Sequence, residues 1–274
     1  MTHVWQDLAK TGTVSKRLRK ISGDTMRKFT AMAPLLGMML MMSNVHATEL
    51  KVLIGGSMTE VFKELAPAFE KASGHKLVVS PGTTPNLIKA VTSGEPFDLG
   101  VVPTDVMKDA AARAKFAPEP TTDIARVGFG VVVRAGQPKP DLGTPEAFKQ
   151  AMLKAQSVAF IPESAAGAQV LRVFEKLGIA DAIKPKTKVQ TATGNIAKAV
   201  AGGEAELGVF LANTLIAPGV EPPVMFPPEL QQDLVFTGAL SASTKDADAA
   251  KALLSYLKSP AGIAIIKAKG MTPG

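Results

Sequence analysis

A strand that turns into a helix occupies residues 49–74, which read ELKVLIGGSMTEVFKELAPAFEKASG. The first six residues alternate polar and apolar side chains and end in an apolar run, which is the pattern of a partly buried strand. Gly55 and Gly56 interrupt the strand, and apolar residues at helical spacing follow from Met58 to Ser73, before Gly74. This stretch predicts a strand, a glycine-rich junction and a helix, and it decides the fold class because the same unit recurs along the chain.

Strands and helices alternate through the rest of the sequence. Strands are predicted at 77–79, 97–102, 124–133, 158–161, 207–210 and 234–240, and helices at 86–92, 105–115, 145–155, 165–177, 195–202 and 246–259. Such alternation predicts an α/β fold with mostly parallel sheets that are covered on both faces. The length after residue 47 is enough for one large domain or two small lobes.

The first 47 residues differ in composition from the others. Basic residues as far as Lys28 precede an uncharged, mainly apolar run at 29–42, and Val45-His46-Ala47 places small residues at the first and last of three positions. This order is typical of a secretory signal peptide, and the apolar run is shorter than the ~20 residues of a membrane-spanning helix. We therefore predict that residues 1–47 are a signal peptide and that the protein is periplasmic, with Met26 as an alternative start.

Composition excludes several classes of protein. The chain has no cysteine, which excludes disulfide scaffolds, thiolate metal sites, cysteine nucleophiles and a lipidated cysteine. The formal net charge of +7 is concentrated in the first 47 residues, which hold seven of the 31 basic and two of the 24 acidic residues. The rest is nearly neutral, so we predict no nucleic-acid partner. No nucleotide-binding or zinc-protease motif occurs, and His75 is expected to be a solvated loop residue, so we predict no metal and no cofactor.

Small polar residues occupy four junctions between a predicted strand and a predicted helix. The junctions are Gly55-Gly56-Ser57-Met58-Thr59, Gly82-Thr83-Thr84, Ser164-Ala165-Ala166-Gly167 and Thr193-Gly194-Asn195. In open α/β sheets the helix N-termini converge at the carboxyl ends of the strands, where unpaired N–H groups and hydroxyls favour an anion. The alternative at each junction is a serine or threonine that caps its own helix. Taken together they favour an anion site, for which we predict Ser57, Met58, Thr83, Thr84, Ser164, Ala165 and Asn195.

Arg126 is a further candidate, because it opens an apolar predicted strand. A guanidinium at a strand end that faces a cleft can hold a carboxylate through two hydrogen bonds. An ordinary surface ion pair with Asp123 is an equally good interpretation.

These junctions, in this order, resemble the periplasmic molybdate-binding protein family of ABC importers, which has the type II periplasmic-binding fold. The resemblance rests on Gly56-Ser57-Met58-Thr59-Glu60, Gly82-Thr83-Thr84, Gly94-Glu95-Pro96-Phe97-Asp98, Gly203-Glu204-Ala205-Glu206-Leu207-Gly208 and the ending from Leu257 to Pro273. It implies two lobes joined by a hinge. We place the first lobe at residues 48–102 and 236–274 and the second lobe at residues 103–235. In that family two hydroxyls at helix N-termini, backbone amides and a tyrosine hold the oxyanion. Ser57 with Thr83 or Thr84 matches the hydroxyls, whereas Phe210 stands at the tyrosine position and cannot donate a hydrogen bond.

Other stretches are similar to a side branch of the family that contains the secreted aconitate isomerase. They are residues 126–134, Pro138-Lys139-Pro140-Asp141, Leu177-Gly178-Ile179 and Lys184-Pro185-Lys186. This resemblance implies an organic polycarboxylate, for which Arg126 is a suitable partner. An isomerase also needs a base, and Glu60 and Glu163 are the carboxylates near the predicted helix N-termini.

Two functions therefore stay open. One is a monomeric solute-binding protein that carries a small anion to an ABC permease, with the ligand held between closing lobes. The other is a cofactor-free isomerase of unsaturated tricarboxylates on the same fold. Few catalytic groups are present and we assign no catalytic residue, which favours the binding protein.

Overall fold

The computed structural model describes the chain from residue 47 to residue 274. The predicted signal peptide, apart from its last residue, lies outside the described residues. Within residues 47–274, no helix combines the length and the hydropathy that a membrane crossing requires.

Eleven strands and ten α-helices alternate in this part of the chain. The strands are β1 (Glu49–Gly55), β2 (Lys76–Gly82), β3 (Leu99–Pro103), β4 (Phe116–Val127), β5 (Phe129–Val132), β6 (Val158–Phe160), β7 (Thr187–Val189), β8 (Leu207–Leu211), β9 (Val224–Met225), β10 (Leu234–Ser241) and β11 (Thr272–Pro273). The helices are α1 (Thr59–Ser73), α2 (Thr84–Thr92), α3 (Thr104–Lys108), α4 (Ala110–Arg113), α5 (Pro145–Lys154), α6 (Ala165–Lys176), α7 (Ala180–Ile183), α8 (Thr193–Ala201), α9 (Ala247–Leu257) and α10 (Pro260–Ala268). Short 3₁₀ turns lie at Gly56–Met58, Lys184–Lys186 and Ala212–Leu215.

The strands form two sheets, in the order β11-β4-β10-β3-β1-β2 and β7-β6-β8-β5-β9. In the first sheet β1 is parallel to β2 and β3, and in the second β6 is parallel to β7 and β8. The remaining pairs are antiparallel, because β4, β5 and β10 run against their neighbours. The sheets are therefore mixed, and the predicted α/β class is confirmed.

The register of the parallel strands places the predicted junctions side by side. Gly55, the last residue of β1, is paired with Gly82, the last residue of β2. The helices that follow these two strands therefore begin next to each other. In the second sheet the carboxyl ends of β6, β7 and β8 share one edge in the same way.

The predicted strand at 124–133 is in fact two strands in different sheets. β4 ends at Val127, β5 begins at Phe129, and Gly128 lies between them. A Cβ on Gly128 would lie 3.1 Å from the side chain of Gln231. Gln231 accepts a hydrogen bond from the Phe129 amide at 2.7 Å and donates one to the Phe129 carbonyl at 3.0 Å. Because β4 belongs to the first sheet, residues 116–127 accompany that sheet; the division into lobes stays a prediction.

Most predicted helix ends are found in the structure. Thr144 caps α5 through a hydrogen bond from the Ala147 amide at 3.1 Å, and Gly74 ends α1 in the left-handed region with φ of 78°. The predicted helix at 105–115 is instead the two short helices α3 and α4, because extended backbone at Asp109 separates them. The Asp109 side chain accepts the Ala112 amide at 2.8 Å and so begins the second helix.

His75 differs from its prediction, because it is buried and not solvated. Only 8% of its surface is exposed, and its ring stacks on Phe69 with centroids 6.2 Å apart. Its Nδ1 accepts a hydrogen bond from the Thr48 amide at 3.3 Å. His75 therefore helps to fix the start of β1, at a position outside the lining of the candidate site described below.

Candidate functional site

A cleft of about 650 Å³ opens where helices of the two sheets face each other. One wall is formed by the start of α1 and α2, and the other by the start of α8 and the turn that follows β8. The lining comprises Gly56, Ser57, Thr59, Glu60, Lys63, Pro81, Gly82, Thr83, Asn86, Thr191, Ala192, Thr193, Gly194, Ala197, Lys198, Asn213, Thr214, Ile216 and Ala217.

A small recess of about 20 Å³ adjoins the cleft. The two share Gly56, Ser57, Gly82, Thr83 and Thr193. The recess is also lined by Thr84, Ser164 and Ala166 and by the apolar side chains of Pro103, Ile161, Phe210, Leu211, Leu234 and Phe236. Residues from all four predicted junctions therefore meet around one recess, where four helix N-termini supply partial positive charge.

The structure separates the predicted site residues into two groups. Ser57, Thr83, Thr84, Ser164 and Phe210 line the recess. The others, Met58, Ala165, Asn195 and Arg126, line neither the recess nor the cleft. The assignment of each residue as a ligand contact stays a prediction.

Three of the predicted hydroxyls do not cap their own helix. Ser57 is only 5% exposed, and its hydroxyl makes no hydrogen bond to another described residue. Thr83 is the N-cap residue of α2 but makes no side-chain cap bond. Thr84 accepts a hydrogen bond from the Ala165 amide at 3.1 Å, which leaves its own proton for donation. These hydroxyls can therefore donate to a ligand at the recess.

Ser164 caps its own helix, which was the alternative interpretation of the junctions. Its hydroxyl accepts a hydrogen bond from the Gly167 amide at 2.9 Å and donates one to the Ile161 carbonyl at 2.9 Å. A hydroxyl has one proton, so Ser164 keeps no donor for an anion.

The residues outside the site have structural reasons for their positions. Met58 is fully buried in the main hydrophobic core. The Ala165 amide is directed at Thr84, and the Asn195 amide donates to the Ala192 carbonyl at 3.0 Å within the first turn of α8. Thr193 takes the place that the sequence analysis gave to Asn195, because α8 begins two residues earlier than predicted.

Arg126 lies in the middle of the first sheet's antiparallel part. β4 pairs Arg126 with Val235 on one side and with Thr272 on the other. Its Nε is buried and has no hydrogen-bond partner among residues 47–274. The arginine therefore lies outside the cleft lining, and the exposed Glu163 also lies outside it.

Asn213 is a site residue that sequence reasoning missed. It follows β8 in the 3₁₀ turn and its Nδ2 donates a hydrogen bond to the Ser57 carbonyl at 2.9 Å. Its Oδ1 is buried without a partner in the described part of the chain. Asn213 thus links the two walls, and the one signal in the sequence was a polar residue shortly after a predicted strand.

Three charged residues line the cleft, and they leave it with one net positive charge. Lys63 and Glu60 form an ion pair with 2.6 Å between Nζ and Oε1. Lys198 on the opposite wall forms no ion pair with any residue that the structure describes. Glu60 was predicted as a candidate base, whereas neither lysine was predicted as a site residue.

Comparison with known proteins confirms the predicted two-lobed type II periplasmic-binding fold. Residues 50–272 match the model of the family described as bacterial extracellular solute-binding protein. An aconitate isomerase from a Pseudomonas species is 33% identical over 82% of this chain and 88% of its own. The molybdate-binding protein ModA of Azotobacter vinelandii is 28% identical over 86% of this chain and 94% of its own. The solved structure of the periplasmic molybdate-binding protein of Azotobacter vinelandii superposes with a TM-score of 0.68, at 23% identity, over 81% of this chain and 98% of that one.

Proposed function

The chain belongs to the bacterial extracellular solute-binding protein family, and from this we propose that it binds a small anion, an oxyanion or an organic carboxylate, at the recess and in the cleft. The observation that carries the proposal is the hydroxyl of Ser57, a residue that is only 5% exposed: this hydroxyl has no hydrogen-bond partner among the described residues and lies where four helix N-termini meet. A donor in such a place is satisfied by an acceptor from outside the chain, and an anion also gains from the helix dipoles.

The charges of the cleft support an anionic ligand. Lys63 and Lys198 outnumber Glu60, so the lining attracts negative charge before any contact is made. The relatives include molybdate-binding proteins, whose named ligand is a small oxyanion. We further propose that the protein acts in the periplasm as a monomer and delivers its ligand to an ABC permease.

A thermal-shift screen tests the proposal. The purified protein is heated with molybdate, tungstate, sulfate, phosphate, citrate and both aconitate isomers. A ligand at a hundred times its Kd adds about 2.7 kcal/mol of stability, which is a readily measured rise in Tm. The variant Ser57→Ala should keep the Tm of the free protein and lose most of the rise. If no anion raises Tm, or if Ser57→Ala responds like the parent, the recess is not an anion site.

An isomerase is a second candidate, favoured by the 33% identity to an aconitate isomerase. Of the two predicted bases, only Glu60 lines the cleft, where it can exchange a proton with a bound substrate. NMR spectroscopy of one aconitate isomer, incubated with the protein, reports conversion directly. Glu60→Gln should abolish the conversion while it preserves the thermal shift. Binding without any conversion by the parent protein would exclude the isomerase and leave the solute-binding protein.

A further inference from the structure

The cleft is larger than a compact ion needs, and its cations lie away from the recess. We propose that the ligand is an elongated carboxylic acid with at least two carboxylates, one held at the recess and a second paired with Lys198. This inference rests on the proposed function, since it requires an anion at the recess. It makes Lys198 the residue that distinguishes such an acid from a tetrahedral oxyanion.

The recess and the cleft differ greatly in size. The recess of about 20 Å³ offers room for part of a ligand only, whereas the adjoining cleft of about 650 Å³ lies in the range of sites that bury organic molecules. The two spaces share five lining residues and are therefore continuous. A ligand that is anchored at the Ser57 hydroxyl has space to extend along the cleft.

Lys198 lines the cleft but not the recess. Thr193, Gly194, Ala197 and Lys198 present one face of α8 to the cleft. Lys198 stands five residues beyond Thr193, which lines both the recess and the cleft, so its Cα lies about 7.5 Å along the helix axis from that of Thr193. Lysine side chains of a helix lean toward its N-terminus, and Lys198 is part of the cleft lining. The spacing fits a second acidic group on the same ligand.

The two lysines of the cleft lining, Lys63 and Lys198, differ in their ion pairing. Glu60 holds Lys63 at 2.6 Å and neutralises it. Lys198 keeps its full charge, because no carboxylate among the described residues pairs with it. It is thus the cation of the lining that is available to a second carboxylate. Its exposed position keeps the free ammonium hydrated until a ligand arrives.

Phe210 and its neighbours account for the orientation of the ligand. Part of the recess lining is apolar, and its side chains, among them Phe210, Leu211 and Phe236, offer no hydrogen-bond donor. An ion with oxygens on all sides would leave some of them against this apolar part, at a cost in desolvation. A carboxylate carries its oxygens at one end and its carbon chain at the other, so it can turn its polar end to the hydroxyls and extend toward Lys198.

Calorimetric titration of the parent protein and of Lys198→Met tests the inference, with acetate, sulfate, succinate and tricarballylate as probes. We expect Lys198→Met to weaken succinate and tricarballylate by about ten-fold or more, the strength of one charge-assisted hydrogen bond. Sulfate and acetate should change by less than about two-fold, within the range of weak exposed charge effects. Lys198→Arg should recover most of the affinity for the longer acids. Lys71→Met is the matched control, since it removes an equally exposed lysine of α1 outside the cleft.

The outcomes separate this inference from the proposed function. If Lys198→Met weakens sulfate as much as succinate, Lys198 acts as a general positive charge and the inference is wrong. The same conclusion follows if sulfate or molybdate binds and the longer acids do not, and the proposed function then survives. If none of these anions binds to the parent protein, the proposed function itself has failed.

Discussion

Replacement of Ser164 by alanine should separate helix capping from ligand binding at the recess. Ser164 is 6% exposed, and its hydroxyl holds the first turn of α6 through the Gly167 amide at 2.9 Å. Because its proton is given to the Ile161 carbonyl, we expect the side chain to contribute to stability and to contribute little to affinity.

The size of the effect follows from which groups lose a partner. Loss of an N-cap side chain costs about 1–2 kcal/mol, because the amide that it capped is left unpaired. The Ile161 carbonyl still accepts the backbone amide of residue 164 at 3.2 Å, so it adds little to the cost. For a chain of this length, each kcal/mol lowers Tm by about 2–4 °C.

Urea unfolding measures the change in free energy, and the same titrations as above measure affinity. Thr144→Ala is the matched control, since Thr144 caps α5 through a bond of 3.1 Å in an exposed position and contributes to no part of the recess. We expect a smaller loss of about 0.5–1 kcal/mol for that variant. The reasoning is refuted if Ser164→Ala unfolds like the parent protein, or if the folded variant loses ligand affinity by ten-fold.

Three further predictions concern other parts of the fold. Gly167→Ala should destabilise the protein by about 3 kcal/mol in urea unfolding, because a Cβ there would collide with the Ile161 carbonyl and force α6 away from its sheet. The pKa of Glu70 lies below its ordinary value of 4.5, mainly because its carboxylate accepts the Leu77 amide, so its stabilising effect is present above pH 4.5 and is lost as the pH falls through the lowered value. Glu70→Gln should therefore show a smaller fall in Tm on acidification below pH 4.5 than the parent does. Asn213→Ala should change the free energy of unfolding by less than about 1 kcal/mol, because removal of the buried, unpaired Oδ1 offsets the lost hydrogen bond across the cleft.

Local patterns predicted those parts of the fold that local chemistry controls. Gly74 ends α1 with a positive φ, at the position where the sequence indicated the end of that helix. The division of the strand at Gly128 was not predictable in the same way, since β-branched residues surround it and the pattern of a buried strand continues through it. The contact of Gln231 with that backbone comes from residues about a hundred positions apart, which no local window contains.

The site was predicted at the level of its junctions and less well at the level of single side chains. The family resemblance is confirmed by the family match and the molybdate-binding relatives. Which hydroxyl faces the recess depends on the residue at which each helix begins, and an error of two residues exchanged Thr193 for Asn195. Asn213 and Lys198 enter the cleft lining because α8 and the turn after β8 lie opposite the starts of α1 and α2, so no spacing in the sequence indicates them.

The double hydrogen bond between Gln231 and Phe129 has a practical consequence for protein engineering. These bonds join two of the segments that connect the sheets. A reporter domain inserted near residue 128 or residue 231 would therefore disrupt both hydrogen bonds as well as interrupt the chain. The exposed turn at Gly136, with φ of 78°, lies beyond β5 and takes no part in that contact. Exposed turns of this kind accept insertions best, and an insertion at Gly136 leaves the connection between the sheets intact.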